Sequence, residues 1–170
     1  MCMTGFVLDL ATLRPAVDRV EAEGTASDVG LSQTEWREAV RGHFQVERSG
    51  ERVSLRGTVQ SRAHLECARC LREFDLPLEA PLVVYAERTG SASPGEQDAL
   101  ERDDHMLLHD GRRLDLREMV REALLLEVPI TPYCREDCPG LCPKCGAELS
   151  LGPHECPAER AGHARGSGPP

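Results

Sequence analysis

A chain of 170 residues with 4% aromatic side chains makes one ordinary domain, or a domain with a small appended module, around a modest core. Its formal charge of -9 argues against broad, non-specific attraction to nucleic acid, which depends on neutralising phosphates with Lys and Arg, and leaves a protein partner or a local basic face. No stretch approaches the roughly 18 apolar residues of a membrane helix, and Met1 to Leu13 has neither the basic start nor the cleavage site of a secretory signal. The chain therefore reads as a soluble cytoplasmic protein with reduced thiols and no membrane partner.

Phe6 to Leu13 reads as a strand, followed by a polar stretch around Glu21 to Asp28. Ser32 and Glu35 have capping-box spacing ahead of Trp36 and Val40, whereas Phe44 and Val46 alternate toward a Ser49-Gly50 turn, so a short helix feeding a strand is expected. Val53, Leu55, Gly57, Val59, Ala63, Leu65 and Cys67 then hold one parity, and so do Phe74, Leu76, Leu78, Ala80, Leu82 and Val84. Period two on both arms predicts a long antiparallel hairpin with Cys67-Ala68-Arg69-Cys70 at its tip. Gly57 and Ser61 are expected to bend or break the first arm. Pro77 and Pro81 mark the second as an edge strand, because neither can donate to a ladder.

Residues 88 to 104 hold Gly, Ser, Pro and acidic side chains without periodicity, as expected of a loop. Beyond it, Asp115 is placed to cap a helix with Glu118 at N3 and Leu116, Met119, Val120, Ala123 and Leu124 as its apolar stripe, ended by Pro129. The fold class is α+β and mainly β: a bent antiparallel sheet with a long hairpin, one C-terminal helix and a zinc-ribbon-like cysteine module. The organisation predicted is a β-rich region with a C-x2-C knuckle over 1–86, an acidic flexible loop over 87–112, helix plus metal-binding module over 113–156 within the same domain, and a disordered tail over 157–170.

Seven of the eight cysteines are clustered: Cys67 and Cys70, then Cys134, Cys138, Cys142 and Cys145, then Cys156. Thiolates two or three residues apart converge on one ion from a tight turn, and Zn²⁺ takes tetrahedral sulfur or nitrogen donors. Disulfides would need an oxidising compartment, and a redox C-x2-C pair would explain two cysteines rather than seven. Two four-coordinate sites need an eighth donor, and His154, two residues before Cys156, supplies one. The economical partition joins Cys67, Cys70, Cys134 and Cys138, closing a loop of more than sixty residues, and leaves Cys142, Cys145, His154 and Cys156 as a local ribbon-like loop. A single ion on Cys134, Cys138, Cys142 and Cys145 is the alternative, and His154 can also be read as an exposed loop histidine. Cys2 has no neighbour at ligand spacing and reads as a free thiol.

Four protein ligands leave no open position for water or substrate, so such sites are structural rather than catalytic. Four thiolates on one Zn²⁺ add -2 and three thiolates with a neutral histidine add -1, which takes the chain from -9 to near -12. His105 and His109, near Asp103 and Asp104, make a weaker candidate metal pair inside a segment that reads as linker. With no phosphate-binding glycine loop, nucleophile elbow or paired-carboxylate constellation, the chain is not expected to be an enzyme. Residues 37–72 carry eight Arg against four Glu, whereas residues 87–110 carry seven acidic residues against two Arg. Solvated surfaces account for both, but Arg56, Arg62, Arg69 and Arg72 are candidate phosphate contacts. Arg69, inside the knuckle, can equally hydrogen-bond thiolate or backbone.

Three stretches carry a family resemblance: Glu66 to Phe74 (E-C-A-R-C-L-R-E-F), Leu114 to Pro129 (L-D-L, then E-x-L-L-L-E-x-P) and Pro132 to Gly146 (P-Y-C-R-E-D-C-P-G-L-C-P-K-C-G). Over residues 40 to 156 the chain resembles the YceD family of large ribosomal RNA subunit accumulation proteins. In that family the C-x3-C-x3-C-x2-C-G block is commonly followed by C-x-C, whose matching positions here are His154 and Cys156, so the resemblance favours His154 as a replacement ligand. Members that keep only the first pair carry histidines where Cys134 and Cys138 stand, which implies that these two belong with Cys67 and Cys70. The chain departs from the family after Cys156.

The resemblance implies a non-enzymatic factor supporting accumulation or maturation of large-subunit ribosomal RNA, with two structural Zn²⁺ ions and precursor RNA or an assembling particle as partner. The alternatives are an acidic adaptor, whose loop 95–104 recruits a nuclease, ribosomal protein or other basic partner, and a redox-sensitive zinc switch.

Overall fold

The computed structural model describes residues 2–13, 16–89 and 106–156, which form a mainly β structure with one α-helix. They fall into two compact units, Met1–His64 with Asp75–Pro129, and Leu65–Phe74 with Ile130–Pro170.

The first unit is built on strands β1 (Cys2–Thr4), β2 (Val7–Asp9), β3 (Ala16–Gly24), β4 (Val40–Ser49), β5 (Arg52–Glu66), β6 (Glu73–Arg88), β7 (Met106–His109) and β8 (Arg113–Asp115), and on helix α1 (Arg117–Leu126). A six-stranded sheet runs β1-β3-β4-β5-β6-β7, and β2 pairs with β8 in a second sheet. β3, β4 and β5 are antiparallel neighbours, while β1 and β7 join the two ends in parallel.

The predicted parity is the burial pattern. Val53, Leu55, Val59 and Ala63 on β5 and Ala80, Leu82 and Val84 on β6 are buried, with exposed or half-buried residues between them. Phe6, Leu8, Leu10, Leu114, Leu116, Val120 and Leu124 complete the core. Pro77 and Pro81 lie where β6 borders only β5, since β7 pairs no earlier than Tyr85, so their missing N–H groups leave no ladder bond unmade.

Several local expectations change. Ser32 to Val40 makes no helix: Ser32 O accepts from Trp36 N at 2.8 Å for a single turn, and Val40 is already committed to β4. So short a segment has no tertiary reason to nucleate a helix. The capping box forms earlier, where Thr25 N donates to Asp28 Oδ2 at 2.7 Å ahead of a 3-10 turn over Ala26–Val29. The stretch around Glu21, read only as polar, is β3, with Val20 and Ala22 buried between exposed charges.

Gly57 does not break β5. A Cβ there would sit 2.0 Å from His43 O, so the glycine permits close approach to β4. Finally, residues 106–112, read within the acidic loop, form β7 and the turn into β8. His109 anchors that turn, 3% exposed, with Nε2 3.0 Å from Glu51 O and Nδ1 accepting from Gly111 N at 3.0 Å. The proposed loop 95–104, His105 and the tail 157–170 lie outside the described residues. α1 begins one residue late: Leu116 is its cap, and Asp115 Oδ1 accepts from Arg117 N at 3.0 Å.

Candidate metal centres

The second unit starts from the six residues between β5 and β6. Cys67 N donates to Arg72 O and Leu71 N to Cys67 O, each at 2.9 Å, which folds Cys67–Arg72 into a knuckle with both thiols inward. Leu71 takes φ 60°, a left-handed conformation that costs a side-chain-bearing residue about 1–2 kcal/mol. The C-terminal arm grips this knuckle through main-chain bonds, Ala68 N to Pro132 O at 2.8 Å and Leu141 N to Arg69 O at 3.1 Å. Gly140 is required at that contact: its φ is +75° and a Cβ would lie 2.9 Å from Arg69 O.

The folding of arm on knuckle brings Cys67, Cys70, Cys134 and Cys138 together with all four sulfurs within 4.8 Å of one another. Cys67 and Cys138 sulfurs are 3.9 Å apart, and those of Cys70 and Cys134 are 3.8 Å apart. A tetrahedron of sulfurs about 2.3 Å from a central Zn²⁺ has edges of about 3.8 Å, whereas bonded sulfurs sit at about 2.05 Å. The group is therefore spaced for an ion.

The second group is local. Cys142 N donates to Ala147 O and Gly146 N to Cys142 O, each at 2.8 Å, and a bridge between Leu141 and Glu148 closes the loop. Cys142, Cys145, His154 and Cys156 converge within the same 4.8 Å limit. Cys142 and Cys156 sulfurs lie 3.9 Å apart, and Cys145 Sγ lies 3.1 Å from His154 Nε2. The last pair must open by about 0.4 Å for ideal tetrahedral binding. The first group is the more buried, with Cys67, Cys70 and Cys138 exposed by no more than 4%, whereas Cys145 is exposed.

The electrostatics of both donor sets fit a cation. Burial pushes the Cys67 thiol up, but backbone N–H groups of Cys134, Cys70 and Arg69 outweigh it and bring it down to about 6. Cys134, buried beside the Cys138, Cys67 and Cys70 sulfurs, is pushed up to about 12. In the second group the N–H groups of Lys144 and Cys145 hold Cys142 down to about 6. Cys145 is raised: although the Ala147 N–H lowers it, burial and the Cys142 and Cys156 sulfurs prevail. Sulfurs so crowded, four in the first group and three in the second, ionise together only when a positive ion lies among them, and the spacing of both groups would let each hold a metal ion.

Of the four candidate phosphate-binding arginines, Arg69 stacks 4.3 Å over the Tyr133 ring and donates to Glu136 O at 3.2 Å and Cys138 O at 3.0 Å. Arg72 pairs with Glu148 at 2.9 Å. Both thus serve the fold of their own unit. Arg62 pairs with Glu38 at 3.4 Å in the first unit, and Arg56 is exposed on β5, opposite Gln45. The roles of Tyr133, Gly140 and Glu148 were not foreseen, since contacts between segments leave no trace in ligand spacing.

No helix among the described residues is long and apolar enough to cross a membrane. No solved structure matches the chain. An uncharacterized protein of Mycobacterium tuberculosis is 36% identical over 110 residues, covering 65% of this chain and 51% of its own. An uncharacterized protein of Mycobacterium leprae is 31% identical over 151 residues, covering 88% and 64%. A chloroplastic homologue of the large ribosomal RNA subunit accumulation protein from Arabidopsis thaliana is 29% identical over 144 residues, covering 72% and 44%. The chain spans about half the length of the first of these relatives. The family model described as large ribosomal RNA subunit accumulation protein YceD matches residues 55–165, a span that contains both donor groups, and the chain belongs to the YceD family.

Proposed function

We propose that the protein is a non-enzymatic cytoplasmic factor that supports accumulation and maturation of large-subunit ribosomal RNA, with two structural Zn²⁺ ions holding its second unit. The family description supports the RNA role. The observation that carries the metal reading is the pair of four-donor groups at tetrahedral spacing. Each set is filled by protein, which leaves zinc to fix the chain rather than activate water. The ions would be held by Cys67, Cys70, Cys134 and Cys138, and by Cys142, Cys145, His154 and Cys156.

The partner in this reading is precursor large-subunit RNA or the assembling particle. With Arg69 and Arg72 engaged inside their own unit, phosphate contact falls to Arg56 and Arg62 on the exposed face of β5. Charge reversal, Arg56→Glu with Arg62→Glu, is expected to weaken association with large-subunit precursor RNA several-fold and flatten its salt dependence by about one unit per lost phosphate contact, with metal content unchanged. Cells carrying this variant in place of the wild-type protein should then show a lowered ratio of large- to small-subunit ribosomal RNA. Association and ratio both at wild-type level would remove RNA contact from this face.

A further inference from the structure

Arg72 joins the two segments that carry the donor groups. Its main chain closes the knuckle of the first, with Arg72 O accepting from Cys67 N at 2.9 Å. Its Nε lies 2.9 Å from Glu148 Oε1 and its Nη2 3.5 Å from Ser150 Oγ, both in the loop between Cys145 and His154. Glu148 sits where the bridge to Leu141 closes the hairpin carrying Cys142 and Cys145, and its carboxylate accepts from the Ser150 hydroxyl. A main-chain bond runs in parallel: Leu141 N, one residue before Cys142, donates to Arg69 O inside the first knuckle.

We propose that Arg72 and Glu148 are positioning residues that couple the two metal centres, so that a divalent cation in the first raises the affinity of the second. The inference rests on the two-centre reading above. An ion bound by Cys67 and Cys70 fixes the knuckle from Cys67 to Arg72 and so holds the guanidinium where it pins Glu148. The ordering of the hairpin is then partly complete before its own ion arrives. Arginine suits the position because its planar fork serves the Glu148 carboxylate and the Ser150 hydroxyl at once, which a lysine ammonium on a flexible stem does not. Arg72 is half exposed and Glu148 mostly covered, so solvent screening limits the effect to about fivefold, the low end of couplings between sites.

The test is a Co²⁺ titration of the full-length apo-protein under reducing, oxygen-free conditions. The bands of the all-sulfur and the sulfur-nitrogen sets are read separately, and native mass spectrometry counts the ions. Arg72→Gln, Arg72→Lys and Glu148→Gln should each weaken the second centre about fivefold and the first by less than about twofold. Cys67→Ser, which disables the first centre, should weaken the second by a similar factor in the wild-type background and by nothing further beside Arg72→Gln. An arginine that only supported the hairpin would give additive losses instead. If Cys67→Ser fails to fold, the site-resolved bands of the wild-type titration give the coupling directly: filling of the second centre follows occupancy of the first, and in Arg72→Gln it no longer does. Additive losses, or an Arg72→Gln protein with wild-type constants, would overturn the coupling while two ions still bind. One ion or none per chain would overturn the two-centre reading itself.

Discussion

Stripping metal with a strong chelator is expected to unfold residues 67–72 and 130–156 while the strands of the first unit stay folded. The hydrophobic cluster of the second unit consists of Cys67, Cys70 and Cys138 with Phe74, Cys134 and Leu141 packed against them, so its core is chiefly its own ligands. Structural zinc sites of this kind contribute about 10–16 kcal/mol of apparent binding free energy, and that energy is folding energy. Without the ion, the sulfurs return to a cluster in which Cys134 resists ionisation while Cys67 and Cys70 favour it. Nothing apolar replaces the lost bonds. The first unit has an independent core in Phe6, Leu8, Leu55, Leu114, Val120 and Leu124. Hydrogen exchange measures both halves at once. The amides of Ala68, Leu71, Leu141 and Cys142, hydrogen-bonded in the folded unit, should lose protection, while those of β4 and β5 keep theirs. Retained protection in the second unit would mean that packing, not metal, holds it.

Gly57→Ala is expected to destabilise the first unit by about 3 kcal/mol, the upper end of what overpacking costs. The added methyl would lie 2.0 Å from His43 O and 2.8 Å from the Phe44 ring. A ring can turn aside, but the carbonyl belongs to the β4 backbone and moves only if the pairing of Phe44 with Gly57 opens. Gly42 makes a useful contrast, because the closest neighbour of a Cβ there is the Phe44 side chain at 2.5 Å, and Gly42→Ala should cost less. Denaturant midpoints of the two variants measure the difference. Equal stability of Gly57→Ala and wild type would show that β4 and β5 do not approach as closely as the structure has them.

The long hairpin was legible because burial on one face imposes a period of two, which both arms keep despite Gly57 and Ser61 in the first. The helix was legible for the analogous reason at period 3.6. β3 was not, since its exposed face carries Arg19, Glu21 and Glu23 and its buried face only Val20 and Ala22. The charges dominate the local composition, and the strand exists because β4 pairs with it along its whole length. The capping-box spacing of Ser32 and Glu35 misled for the opposite reason: the local signal was present, but Trp36 and Val40 found tertiary burial without a helix.

For the candidate metal centres, spacing singled out the short pairs Cys67 with Cys70 and Cys142 with Cys145, because tight turns converge by themselves, whereas His154 came from counting donors and from the family pattern. The pairing of Cys67 and Cys70 with Cys134 and Cys138 required ligand counting and a family pattern, and the structure brings those four together. Arg69 takes the backbone alternative that its place in the knuckle suggested, whereas Arg72 read only as a candidate phosphate contact because a sequence does not display a carboxylate contributed from more than sixty residues away.

Metal content by mass spectrometry, on protein purified without added metal, tests the two-centre account most directly when wild type is compared with His154→Ala. The account predicts two zinc ions per chain in the wild type and about one in the variant, because the less buried second centre loses its nitrogen donor while the first keeps four sulfurs. One zinc per chain, unchanged by His154→Ala, or no zinc in either protein, would contradict it.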